Sequence, residues 1–157
     1  MDPQRYIIAK IEPEMEEPNS FNWLKHISET SLLTVENYPA LLVEDDKPYG
    51  TSGSFGDGTH LQKNGEYMMS LIIKTENLKD MKRADYRAAK AEIMSRMDEI
   101  QNYIAACVTA APKFEEDGKA VMIAGMSFEP GDLNFVEIDS TPALMLTVPV
   151  KAVYFLG

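Results

Sequence analysis

The sequence predicts an α+β domain in which a mainly antiparallel sheet packs against one long and one shorter helix. Three observations predict it. From about Asp80 to Val108, the apolar residues Tyr86, Ala89, Ile93, Met97, Ile100, Ile104 and Cys107 recur in steps of three and four. That is the stripe of a long amphipathic helix. From Ala143 to Leu156, Leu144, Leu146, Val148, Val150, Ala152 and Tyr154 alternate onto one face, the period of a half-buried strand. The chain has 157 residues, 45% hydrophobic and 25% charged, the composition of a single globular domain with an adequate core.

The remaining elements follow along residues 1–157 as one domain. Tyr6-Ile7-Ile8-Ala9-Lys10-Ile11 is a short apolar run that reads as a strand, and residues 1–18 read as an extended N-terminal arm. The arm closes in Glu12-Pro13-Glu14-Met15-Glu16-Glu17-Pro18, an acidic connector bounded by prolines. Asn19 and Ser20 are N-cap residue types for a shorter helix to about Leu33, with Phe21, Leu24, Ile27 and Leu32 near helical spacing. Tyr38 to Glu44 predicts a strand. Residues 50–65 hold five glycines and little to bury, which predicts a long mobile loop. Tyr67 to Lys74 is a mostly apolar strand, as expected where both faces are covered. Pro112 ends the long helix. Strands are expected at Ala120–Phe128, Leu133–Ile138 and Ala143–Leu156, with Pro149 marking an edge or a bulge in the last.

Composition excludes several functions. With 15 basic against 25 acidic residues, the net charge of −10 opposes sequence-specific nucleic-acid binding and polybasic membrane attachment. The N-terminal Met1-Asp2-Pro3-Gln4-Arg5 lacks the basic and apolar regions of a secretory signal, and no apolar run approaches the ~18–20 residues of a bilayer span. One cysteine makes no internal disulfide and fits a reducing compartment.

A search for chemistry yields no catalytic, cofactor-binding or metal-ligating set. His26, His60 and Cys107 lack zinc-site spacing, and Cys107 on the helix stripe is read as a small buried hydrophobe. Gly53-Ser54-Phe55-Gly56-Asp57-Gly58 has the glycines of a phosphate loop but no Gly-Lys-Ser/Thr end and no following helix. Ser52 and Ser54 both miss the spacing of a nucleophile elbow. The acidic runs Glu44-Asp45-Asp46 and Glu115-Glu116-Asp117 read as solvated turns. Met94-x-x-Met97 lacks the His or Cys a copper site would need, so the ten methionines read as core filling.

One resemblance stands beside this reading. The run Ala120-Val-Met-Ile-Ala-Gly-Met-Ser-Phe-Glu-Pro-Gly-Asp-Leu-Asn-Phe135 is followed by Thr141-Pro-Ala-Leu-Met-Leu-Thr-Val-Pro-Val150. Before it come the helix with Glu92-Ile93-Met94-Ser95-Arg96-Met97, the Tyr67–Lys74 strand and Tyr38-Pro39-Ala40-Leu41-Leu42-Val43-Glu44. In this order the chain resembles the tail-terminator type of tail-completion and head–tail joining proteins of bacteriophages and prophages, over most of residues 20–157. The predicted strand at Tyr6–Ile11 departs from that family's helix-first order. The resemblance implies a virion structural protein without catalytic residues or cofactors. It implies a homo-oligomeric ring, hexameric by preference, that caps the tail tube and meets tail-tube and head-connector proteins, in the host cytoplasm and then the virion. Tyr49, Phe55, Tyr67 and Trp23 are candidate contact aromatics, and an acidic lumen would let DNA slide without sticking.

A reading from another class stays open. A small-molecule-binding or catalytic domain would assemble its site from distant residues, of which His60, Asp57, Ser54 and Glu44 are the nearest candidates. An acidic binding or inhibitor protein is the third reading.

Overall fold

A computed structural model of the chain describes residues 2–29, 35–45, 52–55, 61–74 and 83–156. In order these form α1 (Pro3–Ile11), a 3-10 turn (Glu12–Met15), β1 (His26–Ser28), β2 (Ala40–Asp45), β3 (Ser52–Phe55) and β4 (Leu61–Lys74). Then come α2 (Arg83–Ala110), β5 (Lys113–Glu116), β6 (Lys119–Phe128), β7 (Asp132–Ile138) and β8 (Thr141–Leu156). The α+β class is as predicted, and the described strands make one sheet of eight.

The sheet is organised by its two longest strands. β4 and β8 pair antiparallel without a register shift from Leu61↔Leu156 to Lys74↔Ala143. On the far side of β8, β7 pairs with Thr141–Thr147 and β6 with Val150–Leu156, both antiparallel. β6 and β7 therefore run in one direction, as a single edge interrupted at residues 129–131. Pro149 explains the place of the interruption. A strand residue points its N–H and C=O to the same neighbour, and the Pro149 carbonyl accepts from the Glu129 N–H at 2.9 Å. The donor Pro149 lacks would have faced that same edge, so the ladder breaks there. Gly131 completes the break, because a Cβ at that position would lie 2.6 Å from the Thr147 carbonyl oxygen.

The other side of the ribbon repeats the plan. β2 and β3 both pair antiparallel with β4, β2 along Tyr67–Ile72 and β3 along Gln62–Asn64. Two hairpins with divided outer strands thus meet at β4–β8, and α2 connects them. β1 adds to β2 in parallel and β5 to β6 antiparallel, which makes the sheet mixed.

The sheet curls into a half-barrel, and its concave face holds the main core. Leu144, Leu146, Val148, Val150, Ala152 and Tyr154 all face it, as their alternation predicts, against Ile93, Met97, Ile100 and Ile104 of α2. A smaller cluster of Ala40, Leu42, Ile72, Ile138 and Ala143 lies on the opposite face.

Helix α1 lies across the opening of the curl. Asp2 caps it, accepting the Arg5 N–H at 3.0 Å, and Pro3 occupies the first turn. Tyr6, Ile7, Ile8 and Ile11 are buried. Arg5 donates to both carboxylate oxygens of Glu116 on β5 at 3.0 and 3.1 Å. Tyr6 Oη donates to the Ala111 carbonyl at 2.8 Å, and Gln4 Nε2 donates to the Val43 carbonyl on β2. The Gln4 contact has a clear cause. β1 pairs with β2 only as far as Leu42, so the amide of Gln4 takes up the edge one residue beyond the end of that strand.

Several sequence expectations are corrected. The arm expected over residues 1–18 is, in its described residues 2–18, α1 and a 3-10 turn, and Tyr6–Ile11 is no strand: apolar side chains on every side let the run sit as a helix between sheet edges and α2. The shorter helix predicted at residues 19–33 is absent where described, and turns to Trp23 lead into β1. Phe21 and Leu24 are buried there in a wrap around the helices, not on a helical stripe. In the expected 50–65 loop, Ser52–Phe55 and Leu61–Gly65 are strand, while residues 56–60 lie outside the described residues. Glu115 and Glu116, expected in a turn, belong to β5, and the turn itself is Asp117-Gly118 with both φ positive. Pro149 sits in the central ribbon beside the edge break. Among the described residues no helix is long and apolar enough to cross a membrane.

Gln4 is 6% exposed and carries the capping bond to Val43. Gln4→Leu leaves that carbonyl without its donor and is expected to cost about 1–3 kcal/mol. Urea unfolding measures it, and a loss below a few tenths would show that solvent replaces the amide.

Candidate functional site

The residues singled out by sequence do not converge. His60, Asp57 and Tyr49 lie outside the described residues. Ser54 and Phe55 fall on β3, and Glu44 is half-buried on β2 opposite Met68. His26 is on β1, its Nε2 2.8 Å from the Ser28 hydroxyl. Cys107 is a free thiol, half-buried against the core beside Tyr103. Burial and this thiol push the Tyr103 phenol up to about 12. Tyr67 is buried, so it leaves the set of contact aromatics. Trp23 is half-buried beneath the Arg96 guanidinium at 4.7 Å from its ring, with Phe21 edge-on at 6.1 Å. Of the Met94/Met97 pair, Met97 is buried and Met94 is 47% exposed. No group of three or more His, Cys, Asp or Glu able to hold a metal occurs among the described residues.

Three surface features stand out instead. The first is the corner where α1 meets both sheet edges, a hollow of about 290 Å3 lined by Asp2, Arg5, Glu29, Glu116, Asp117 and Lys119. Arg5 and Glu116 pair across it at 3.0 Å. The Arg5 guanidinium holds the Glu116 carboxyl below the usual carboxylate range, and Glu116 raises Arg5 in return. Asp45, at the end of β2, moves the other way: partial burial of its carboxyl, with Asp2 and Glu29 nearby, draws it above the ordinary value.

The second feature is on the convex face. Val121, Met122, Phe155 and Leu156 line an apolar hollow of about 690 Å3, with Met122 45% exposed. Lys113 and Glu115 stand at its rim and pair with each other at 2.8 Å. Further along this face, Lys151 pairs with Glu129 at 2.8 Å, and the Ser70 and Thr147 hydroxyls meet at 3.0 Å.

The third is the edge formed by β7 and the flank of α2. Leu133 and Phe135 stand opposite Leu146 and Leu144 in register, so they point to the concave side. Phe135 is 55% exposed and stacks on Tyr86 with centroids 5.5 Å apart. Farther along, a groove of about 380 Å3 opens between Met94, Met97 and Asp98 on the helix and Phe128, Pro130 and Gly131 at the edge break, with Leu146 and Val148 as its floor. No protein-family model and no curated protein sequence matches this chain.

Phe135, Met94 and Met122 are the exposed large hydrophobic residues of the described chain, and sequence reasoning singled out none of them as a contact. Their signal was present but ambiguous. Met94 lies beside the α2 stripe and Met122 and Phe135 lie within strands, and only the places where helix and sheet end decide that these three remain uncovered.

The raised Asp45 value has a definite sign. The folded chain holds this proton more tightly than the unfolded chain does, so the contribution is present at acid pH and lost as pH rises through the raised value. Asp45→Asn is therefore expected to raise the urea midpoint at about pH 7 and leave it unchanged at about pH 3. An equal gain at both pH values would refute the electrostatic cause.

Proposed function

We propose that the chain is a non-enzymatic structural protein of phage tail assembly, which forms a ring that caps the tail tube and joins it to the head. One observation carries the reading. The sheet presents apolar surface at two separate places, the Met122–Phe155 hollow on the convex face and the Phe135–Met94 flank at the β7 edge. A head-to-tail ring needs two different, separated patches on each subunit, whereas a two-fold dimer needs one. The element order adds support. The long helix α2 precedes the final strands β6, β7 and β8, the order on which the resemblance to tail-terminator proteins rests.

The charge of −10 also has a use in this reading. Acidic side chains turned toward a central channel repel phosphate and allow passage of DNA without adhesion. Partners are then further copies of the chain, the tail tube and the head connector.

Native mass spectrometry and negative-stain imaging test the reading. A hexamer of 17.6 kDa chains, about 106 kDa, is expected alone at high concentration or on isolated tail tubes. A strict monomer under both conditions overturns it.

A further inference from the structure

Two of the three exposed large hydrophobic residues of the described chain are methionines, and one stands on each apolar patch. Met122 is 45% exposed in the convex hollow, and Met94 is 47% exposed on the β7 flank. The other described methionines are withdrawn. Met69 and Met97 are buried, and Met15, Met68, Met126 and Met145 are half-buried. Met1 and Met81 lie outside the described residues. Core filling thus accounts for Met69 and Met97 and fails at Met94 and Met122.

Neither exposed position requires a thioether for its local structure. Met122 lies between Val121 and Ile123 on β6, where a strand favours β-branched residues. In the sheet it stands in one cross-strand row between Phe155 of β8 and Lys113 of β5. Met94 has exposed Lys90 and Asp98 one turn to either side of it on α2. Leucine would supply similar apolar area at both places. What sets a thioether apart is its reaction with oxidants. Hydrogen peroxide transfers one oxygen atom to the sulfur: an S–O bond forms and the O–O bond breaks. The sulfur loses two electrons, and the other peroxide oxygen leaves as water with both protons. The resulting sulfoxide is polar and carries a strong acceptor. On the free chain water satisfies that acceptor. Beneath the apolar surface of a neighbouring copy it has no donor, and an unsatisfied acceptor opposes burial.

We infer that Met94 and Met122 form a redox switch on assembly, in which hydrogen peroxide converts the sulfurs of the free chain to sulfoxides, blocks contact between copies, and is undone by reduction. The inference rests on the proposed ring and concerns how its contacts are controlled. A head-to-tail contact uses one patch from each of two copies, so a sulfoxide on either patch is enough. Assembled copies cover both sulfurs and are protected.

Peroxide treatment of the dilute full chain tests it. Excess peroxide is destroyed with catalase, and the protein is then concentrated, alone or with isolated tail tubes, for native mass spectrometry. Peptide mass spectrometry follows each methionine. Met94 and Met122 are expected to oxidise first, and Met69 and Met97 last. Assembly should weaken about tenfold or more as the exposed pair is converted, with circular dichroism unchanged. It should recover after treatment with the two methionine sulfoxide reductases, one for each epimer. The Met94→Leu/Met122→Leu double variant should assemble with or without peroxide. If that variant fails to fold, recovery with the reductases is the independent readout. Assembly that persists with both sulfurs oxidised overturns the inference and leaves the ring standing. So does oxidation of the half-buried methionines ahead of these two, or loss of assembly in the peroxide-treated double variant. An untreated chain that stays monomeric alone and on tail tubes overturns the ring, and the inference with it.

Discussion

The unshifted pairing of β4 with β8 is the constraint on which the rest of the structure depends. It joins residues far apart in sequence along fourteen register positions, and every other strand is attached to it directly or through one neighbour. One residue of slip would exchange the faces of the whole ribbon and turn Leu144, Leu146, Val148 and Val150 to solvent. The ribbon has its own internal lock at Gly65. The Tyr67 ring lies across this glycine so closely that a Cβ would fall 2.5 Å from the phenol oxygen. Burial pushes that phenol well above its ordinary value, which keeps it neutral inside the core.

From this ribbon the open and closed parts of the surface follow. Two hairpins back to back leave a sheet with two outer edges, and curling brings those edges toward each other. Helix α1 spans the gap through Gln4 to β2 and Arg5 to β5, and it fills the gap with Tyr6, Ile7 and Ile11. The exposed Arg5–Glu116 pair gives direction more than energy, while the buried apolar face of α1 carries the attachment. Among the described residues no comparable element covers the outer side of β7. Exposed apolar side chains occur at both ends of the curl, Phe135 and Met94 beside β7 and Met122 beside β5.

Much of this was legible in residues whose environment is set by their own period. The α2 stripe through Ile93, Met97, Ile100 and Ile104 and the alternation in β8 appear in the structure as read. Segments without a period of their own were not legible. Tyr6–Ile11 is apolar all round, so periodicity could not separate strand from helix, although Asp2-Pro3 was a helix-start signal that could have done so. Gln62-Lys63-Asn64-Gly65 carries no strand pattern, and it is strand because Val153–Leu156 of β8 stands beside it. Asn19-Ser20 offered a helix cap, but the following residues bury Phe21 and Leu24 by wrapping around α1 and α2. The exposed trio Phe135, Met94 and Met122 was hidden for a related reason, since exposure depends on where the sheet and helix end.

Function, on this view, resides in surfaces rather than in a cluster of reactive groups, and the open β7 edge is its most specific physical element. Hydrogen exchange of the isolated chain resolved to single amides tests that element most directly. The structure predicts slow exchange throughout the β4–β8 ribbon and, within β7, alternation between protected amides facing β8 and rapidly exchanging amides facing outward. Uniform protection along residues 132–138, equal to that of β8, would show that the edge is covered and would contradict it.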